Sequence, residues 1–339
     1  GSIGLDTLAS DITEYGGITI GENFSSLEGV EVGSMTIGAS NVDAFVGYGD
    51  PDFSYDLADQ DGLYGFGIQD FDLGMGMFEP TIPIEGLPSF TSLKATAQDF
   101  STYGFGDWFD LSGKGITIKV NTGDPWPGGL GPPVIDFQST FQAESGDEDG
   151  DGISNEPAGF EVSTGGDPIY LDYDGNERIG VEIEELSLAL LSFVYLQGSF
   201  AFEKGPTYTV DVATGIPNEW GELAGAVGLE DALNELTDNF GLEFSNNFTS
   251  LSGLEVDSMT ISATDVYGFV GLGDPDFDKP LDDQDLIGFG VEDLDFGMGM
   301  FNPTMPGLDQ FMKFTSLKVN VGKFSTLGFD DYLEISGEN

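Results

Sequence analysis

The chain has 339 residues, with 61 Asp and Glu against 9 Lys and Arg, for a formal net charge of −52. Nucleic acid and anionic lipid are bound through clustered cations, so one arginine and eight scattered lysines in so negative a field exclude the first as a partner and argue against the second. The absence of Cys and His removes thiol nucleophiles, Ser–His and Cys–His dyads, and the usual zinc, haem and copper ligands, and leaves carboxylate chemistry and hard cations.

A hydrophobic content of 39% with 28 Phe, 11 Tyr and 3 Trp supplies a core, which an acidic disordered tail lacks. No apolar run reaches the roughly 18 residues of a membrane span, and no basic-then-apolar leader opens the chain, so a soluble or already processed segment is expected. The 51 glycines point to many short strands and tight turns.

In chain order, Val30, Val32, Met35, Ile37 and Ala39 alternate with a one-residue slip between Val32 and Met35, which predicts a bulged strand. Strands are predicted over 64–68, 71–77, 92–97 and 115–120, followed by a loop at 128–133. The glycines of Gly74-Met-Gly-Met77 stand on one strand face, and such glycines admit a neighbouring backbone or ring more often than the methionines hold a metal. Further strands are predicted at 169–173, 180–184 and 207–212, and residues 186–202 read as two β segments. Trp220, Leu223, Val227, Leu233 and Leu236 recur at near-helical spacing over 218–239, before a stop at Gly241.

The chain is internally duplicated. Asn23-Phe-Ser-Ser-Leu27 returns as Asn247-Phe-Thr-Ser-Leu251, Gly49-Asp-Pro-Asp-Phe53 as Gly273-Asp-Pro-Asp-Phe277, and Phe90-Thr-Ser-Leu-Lys94 as Phe314-Thr-Ser-Leu-Lys318, each 224 residues on. From Asn23 to Phe53, 21 of 31 positions are identical. The expected organisation is a partial repeat over 1–113, the remainder of the period over 114–224, and a second copy over 225–339 that matches 1–115. Neither end reads as a natural boundary, so about one and a half periods of a longer tandem array are expected; a duplicated two-domain enzyme is the alternative. The expected fold is all-β, an elongated repeat architecture of solenoid-like or stacked sheets with one short helical segment. Phe66, Phe71, Met75 and Met77 are expected inward, with their copies Phe289, Phe296, Met298 and Met300.

The most specific local pattern is Asp147-Glu-Asp-Gly-Asp-Gly-Ile-Ser-Asn-Glu156. Asp147, Asp149 and Asp151 at positions 1, 3 and 5 converge when glycines let the chain curl, and calcium takes roughly 6–8 such oxygens. Position 12, Glu in a complete EF-hand, is Ala158 here, so Asn155 or Glu156 must substitute. Asp172, Asp174 and Asn176 repeat the 1, 3, 5 spacing, with Glu177 where Gly is preferred. The duplicated acidic loops 50–61 and 274–285 are irregular in spacing and read equally as solvated turns. With 61 acids no carboxylate pair stands out for glycoside hydrolysis. Trp108 and Trp126 could stack on sugar or plug turns, and Asn23 and Asn247 open the two Asn-x-Ser/Thr sequons.

The order Ala44-Phe-Val-Gly47, an acidic loop, Gly65-Phe-Gly-Ile-Gln-Asp-Phe-Asp-Leu-Gly-Met-Gly-Met77, Ile116-Thr-Ile-Lys-Val-Asn121 and Phe193-Val-Tyr-Leu-Gln-Gly-Ser-Phe-Ala-Phe-Glu-Lys-Gly205 resembles tandem repeats of very large bacterial surface proteins, adhesin-like and often calcium-binding. That resemblance implies secretion to the cell surface, a structural or adhesive role without catalysis, and neighbouring copies or a surface glycan as partners. Residues 49–61 depart from the Asp-rich pattern such loops carry. The alternatives are a binding module with an apolar β groove for lipid or glycan, and a carboxylate glycosidase.

Overall fold

The computed structural model describes residues 12, 18–20, 26–82, 84, 86–126, 132–144, 155–215, 242–245, 249–304, 312–329 and 335–338. The fold is all-β with one short helical segment, the turn Phe137–Thr140. The helix predicted over 218–239 lies outside the described residues. The strands are β1 (Thr19–Ile20), β2 (Leu27–Glu28), β3 (Val32–Tyr48), β4 (Tyr64–Pro80), β5 (Phe90–Tyr103), β6 (Phe109–Gly123), β7 (Phe160–Val162), β8 (Ile169–Leu171), β9 (Arg178–Leu190), β10 (Val194–Ala213), β11 (Glu243–Phe244), β12 (Ser250–Leu272), β13 (Ile287–Pro303), β14 (Phe314–Leu327) and β15 (Ser336–Glu338).

Two compact units form. The first comprises Gly1–Lys204, Thr260–Met298 and Leu317–Asn339, and the second Gly205–Met259 and Gly299–Ser316. In the first, the main sheet runs in the order β15-β14-β13-β12-β10-β9-β6-β5-β4-β3, so strands of both sequence copies share one sheet. The order follows the chain, through connections that range from the short β9–β10 turn to the long segment between β6 and β9, and the sheet is an antiparallel meander with no solenoid coil among the described residues. The turn between β9 and β10 puts Leu191 and Ser192 at φ of 56° and 49°, splitting residues 186–202 into the two expected β segments.

The predicted slip in β3 lies further along than the alternation suggested. Register runs unbroken from Val32↔Pro80 to Ala39↔Leu73 and shifts around Val42. The cause is local: Asn41 and Asp70 take left-handed backbone (φ 56° and 48°), and carboxylates hold their amides, Asn41 N–H donating to Asp72 Oδ1 at 2.8 Å and Asp70 N–H to Asp43 Oδ1 at 3.0 Å.

A second layer covers one face of β3–β5. The β7–β8 hairpin and the helical turn bury Phe137, Val162, Leu171 and Tyr173 against Phe78. Here Gly74 and Gly76 act as the sequence indicated: an added Cβ at Gly74 would lie 2.7 Å from Ile169 Cγ2, and one at Gly76 would lie 3.2 Å from Leu171 Cδ1. Gly38 is under the same layer, where an added Cβ would fall 2.1 Å from the Ser163 carbonyl. The covered face thus carries glycines and Phe78. The expectation that Phe66 and Phe289 point inward is corrected, since both are exposed, at 41% and 57%.

The second copy keeps the strands and changes the covering. Gly297, the counterpart of Gly74, has open space around it, and Gly38 is replaced by Ser262. Its own core in the first unit is Phe269, Leu281, Leu286 and Leu327, joined by Tyr195 and Phe277. The second unit is centred on Leu242, Leu251, Leu254 and Val256. One cross-strand pair repeats with its charges exchanged: Asp99 stands opposite Lys114 in β5–β6, and Lys323 opposite Glu338 in β14–β15.

Candidate functional site

Asp147, Asp149 and Asp151 lie outside the described residues. Of the same loop, Asn155 is exposed at φ 62°, while Glu156 accepts a hydrogen bond from the Tyr170 hydroxyl at 3.1 Å. Glu161 accepts from the same hydroxyl at 3.1 Å. Desolvation, then these two carboxylates, push the Tyr170 phenol well above its ordinary value.

The three residues of the second candidate calcium loop each have a partner of their own. Asp172 pairs with Lys94 at 3.1 Å, Asp174 bridges to Asp136 along the backbone, and the Asn176 carbonyl accepts from Asn121 Nδ2 at 3.2 Å. Between the first two, Tyr173 turns inward and is buried. Among the described residues no group of three or more acidic side chains surrounds a common point.

The duplicated acidic loops are organised by one amide each, a role the sequence reading missed. Gln60 Nε2 donates to the carbonyls of Asp52, Tyr55 and Asp56 at 2.8, 3.2 and 3.3 Å, and its Oε1 accepts from the Asp52 amide at 2.9 Å. Gln284 repeats this with the carbonyls of Asp276, Lys279 and Pro280 at 2.7, 3.1 and 3.2 Å and the Asp276 amide at 2.8 Å. The available signal was that Gln60 recurs as Gln284 although Ser54, Tyr55 and Asp56 between it and the shared Asp-Pro-Asp-Phe are replaced. Leu57 and Leu281 drop from these loops into the fold fully buried, leaving the carboxylates facing water. Trp126 is buried beside Ile12, as a turn plug, and Trp108 is exposed.

The clearest difference between the copies is at a strand edge. Among the described residues β3 pairs with β4 alone, whereas β12, its copy, also has β10 along its other side. The Gly271 amide donates to the Phe193 carbonyl at 2.9 Å, and the Tyr195 and Phe269 rings lie 6.2 Å apart. Phe269 is consequently fully buried while Phe45 is half-buried, and Val266 is 6% exposed against 37% for Val42. Backbone groups at such an edge are suited to taking up another strand.

No helix among the described residues is long and apolar enough to cross a membrane. Comparison with known protein families, curated proteins and solved structures finds no match to this chain.

Proposed function

We propose that this chain is a structural repeat of a large secreted fibre or adhesin at the cell surface, without a catalytic centre of its own. The observation that carries the reading is that both sequence copies enter one hydrogen-bonded sheet within the first unit. A repeat that continues the preceding sheet transmits load through backbone ladders, and each copy gains stability from its neighbour. Calcium at Asp147, Asp149 and Asp151, with Asn155 or Glu156, stiffens the loop ahead of the β7–β8 layer. The surplus of carboxylates keeps such arrays soluble and apart. Its partners are neighbouring copies in a homopolymeric fibre, or a surface glycan.

Immunogold labelling of the producing cells, with antibodies raised to this chain, tests the reading. Decoration of surface filaments is expected; label confined to the cytosol overturns it.

A further inference from the structure

We propose that the outer edge of β3 over Val42–Tyr48 is a docking site for an incoming β-strand with the chemistry of Phe193–Gly198, carried by another copy of the repeat; this rests on the structural-repeat reading above. The chain itself holds a solved example of the joint. Val42, Phe45, Val46 and Gly47 recur unchanged as Val266, Phe269, Val270 and Gly271, and β10 lies along that second set. The contacts fix an antiparallel register, with Phe193 facing Gly271 and Gly198 facing Val266. Transferred to β3, the same register sets a Phe193-like residue against Gly47 and a Gly198-like residue against Val42.

Each element of the joint has its counterpart on β3. The Gly47 amide stands where the Gly271 amide donates, and Phe45, 6.2 Å from Tyr103 in ring centroid, stands where Phe269 takes the Tyr195 ring. Three positions on the path differ, Asp43 for Tyr267, Ala44 for Gly268 and Tyr48 for Leu272. For Ala44 there is room: a Cβ added at Gly268 would lie 4.0 Å from both Leu196 Cδ1 and the Tyr195 carbonyl, an ordinary contact. Glycine is required in the incoming strand instead. A Cβ at Gly198 would sit 2.9 Å from Val266 Cγ2 and 3.0 Å from its Cα, so a larger residue would be forced off the edge.

Backbone pairing supplies the affinity of such strand addition, and the side chains on alternate positions supply its choice of partner. The intact chain is not its own donor, because its β10 is flanked on both sides by β9 and β12. The occupant is therefore a strand of this sequence whose second edge is open.

The test adds a synthetic peptide of residues 191–202 to the full chain and follows binding by fluorescence anisotropy and amide hydrogen exchange. Saturable binding of one peptide per chain is expected, with exchange slowed in β3 around Gly47. A peptide carrying Gly198→Val should bind about tenfold more weakly or worse. Val42→Lys in the chain, which sets a charge on the edge, should weaken binding to a similar degree with an unchanged circular dichroism spectrum. If that variant misfolds, the peptide pair decides alone. Absence of binding, slowed exchange at another edge in place of β3, or equal binding of the Gly198→Val peptide overturns the proposal. Such a failure leaves surface-filament labelling untouched, whereas cytosolic label removes the repeat reading while strand addition remains measurable.

Discussion

The Tyr173 hydroxyl donates to the Leu93 carbonyl at 2.5 Å, so a residue of the covering layer ties down a backbone group of the sheet beneath it. Tyr173 is buried, and desolvation pushes its phenol well above the ordinary range, which keeps it a donor. Tyr173→Phe removes this bond with little change in volume and should cost about 1–2 kcal/mol. Urea unfolding measures it; an unchanged midpoint would show that the bond contributes nothing.

The two glycine copies give an internal control. Gly74→Ala drives a methyl into Ile169 and should destabilise by about 1–3 kcal/mol. Gly297→Ala, at the equivalent strand position, meets nothing within 4 Å and should be neutral or stabilising by up to about 1 kcal/mol. Thermal melts should therefore show a loss for Gly74→Ala alone, and equal losses would contradict the difference in covering.

Alkaline stability should depend on Tyr267. Its hydroxyl donates to Asp293 Oδ1 at 2.7 Å, and that bond, with burial second, pushes the phenol up to about 12 from an ordinary value near 10. The folded state holds the proton more tightly, so the contribution is complete below about pH 10 and is lost as pH rises towards 12. The stability difference between the wild type and Tyr267→Phe should shrink across that window. A difference constant from pH 9 to 12 would refute the assignment.

Calcium should raise the melting temperature, and chelation should lower it. Binding to the native state alone stabilises by about 2.7 kcal/mol at a hundredfold excess over Kd. Asp149→Ala should abolish the response, and magnesium should replace calcium poorly because it demands stricter geometry. A wild-type melt indifferent to calcium rules the site out.

Strand alternation, the duplication and the packing role of Gly74 were legible in the sequence because each depends on local spacing or on repetition. Asn121 was not legible. It is fully buried, accepts from Ser92 Oγ at 2.7 Å, and donates to the carbonyls of Ile135 and Asn176 at 3.2 Å each. Those partners lie 29, 14 and 55 residues away, so only the meander brings them together. The partner of Asp172 was hidden for a related reason. Lys94 lies 78 residues earlier in the chain, and the ion pair it forms with Asp172 is invisible to any pattern confined to the loop. The position of the break in β3 depends on Asp72, on the neighbouring strand, which alternation within one strand does not report.

The exchanged charges of the Asp99–Lys114 and Lys323–Glu338 pairs bear on how the chain reaches its fold. Near-identical copies in tandem risk mispairing, with a strand of one copy closing onto its homologue's partner. A β5 strand that captured β15 would set Asp99 against Glu338, and a β14 strand that captured the start of β6 would set Lys323 against Lys114. Like charges directly opposite are unfavourable, so both crossed products are penalised and both correct ones are favoured. Two reversed residues thus label each copy's own partner, a proofreading mark written in sign where shape alone could not tell the strands apart.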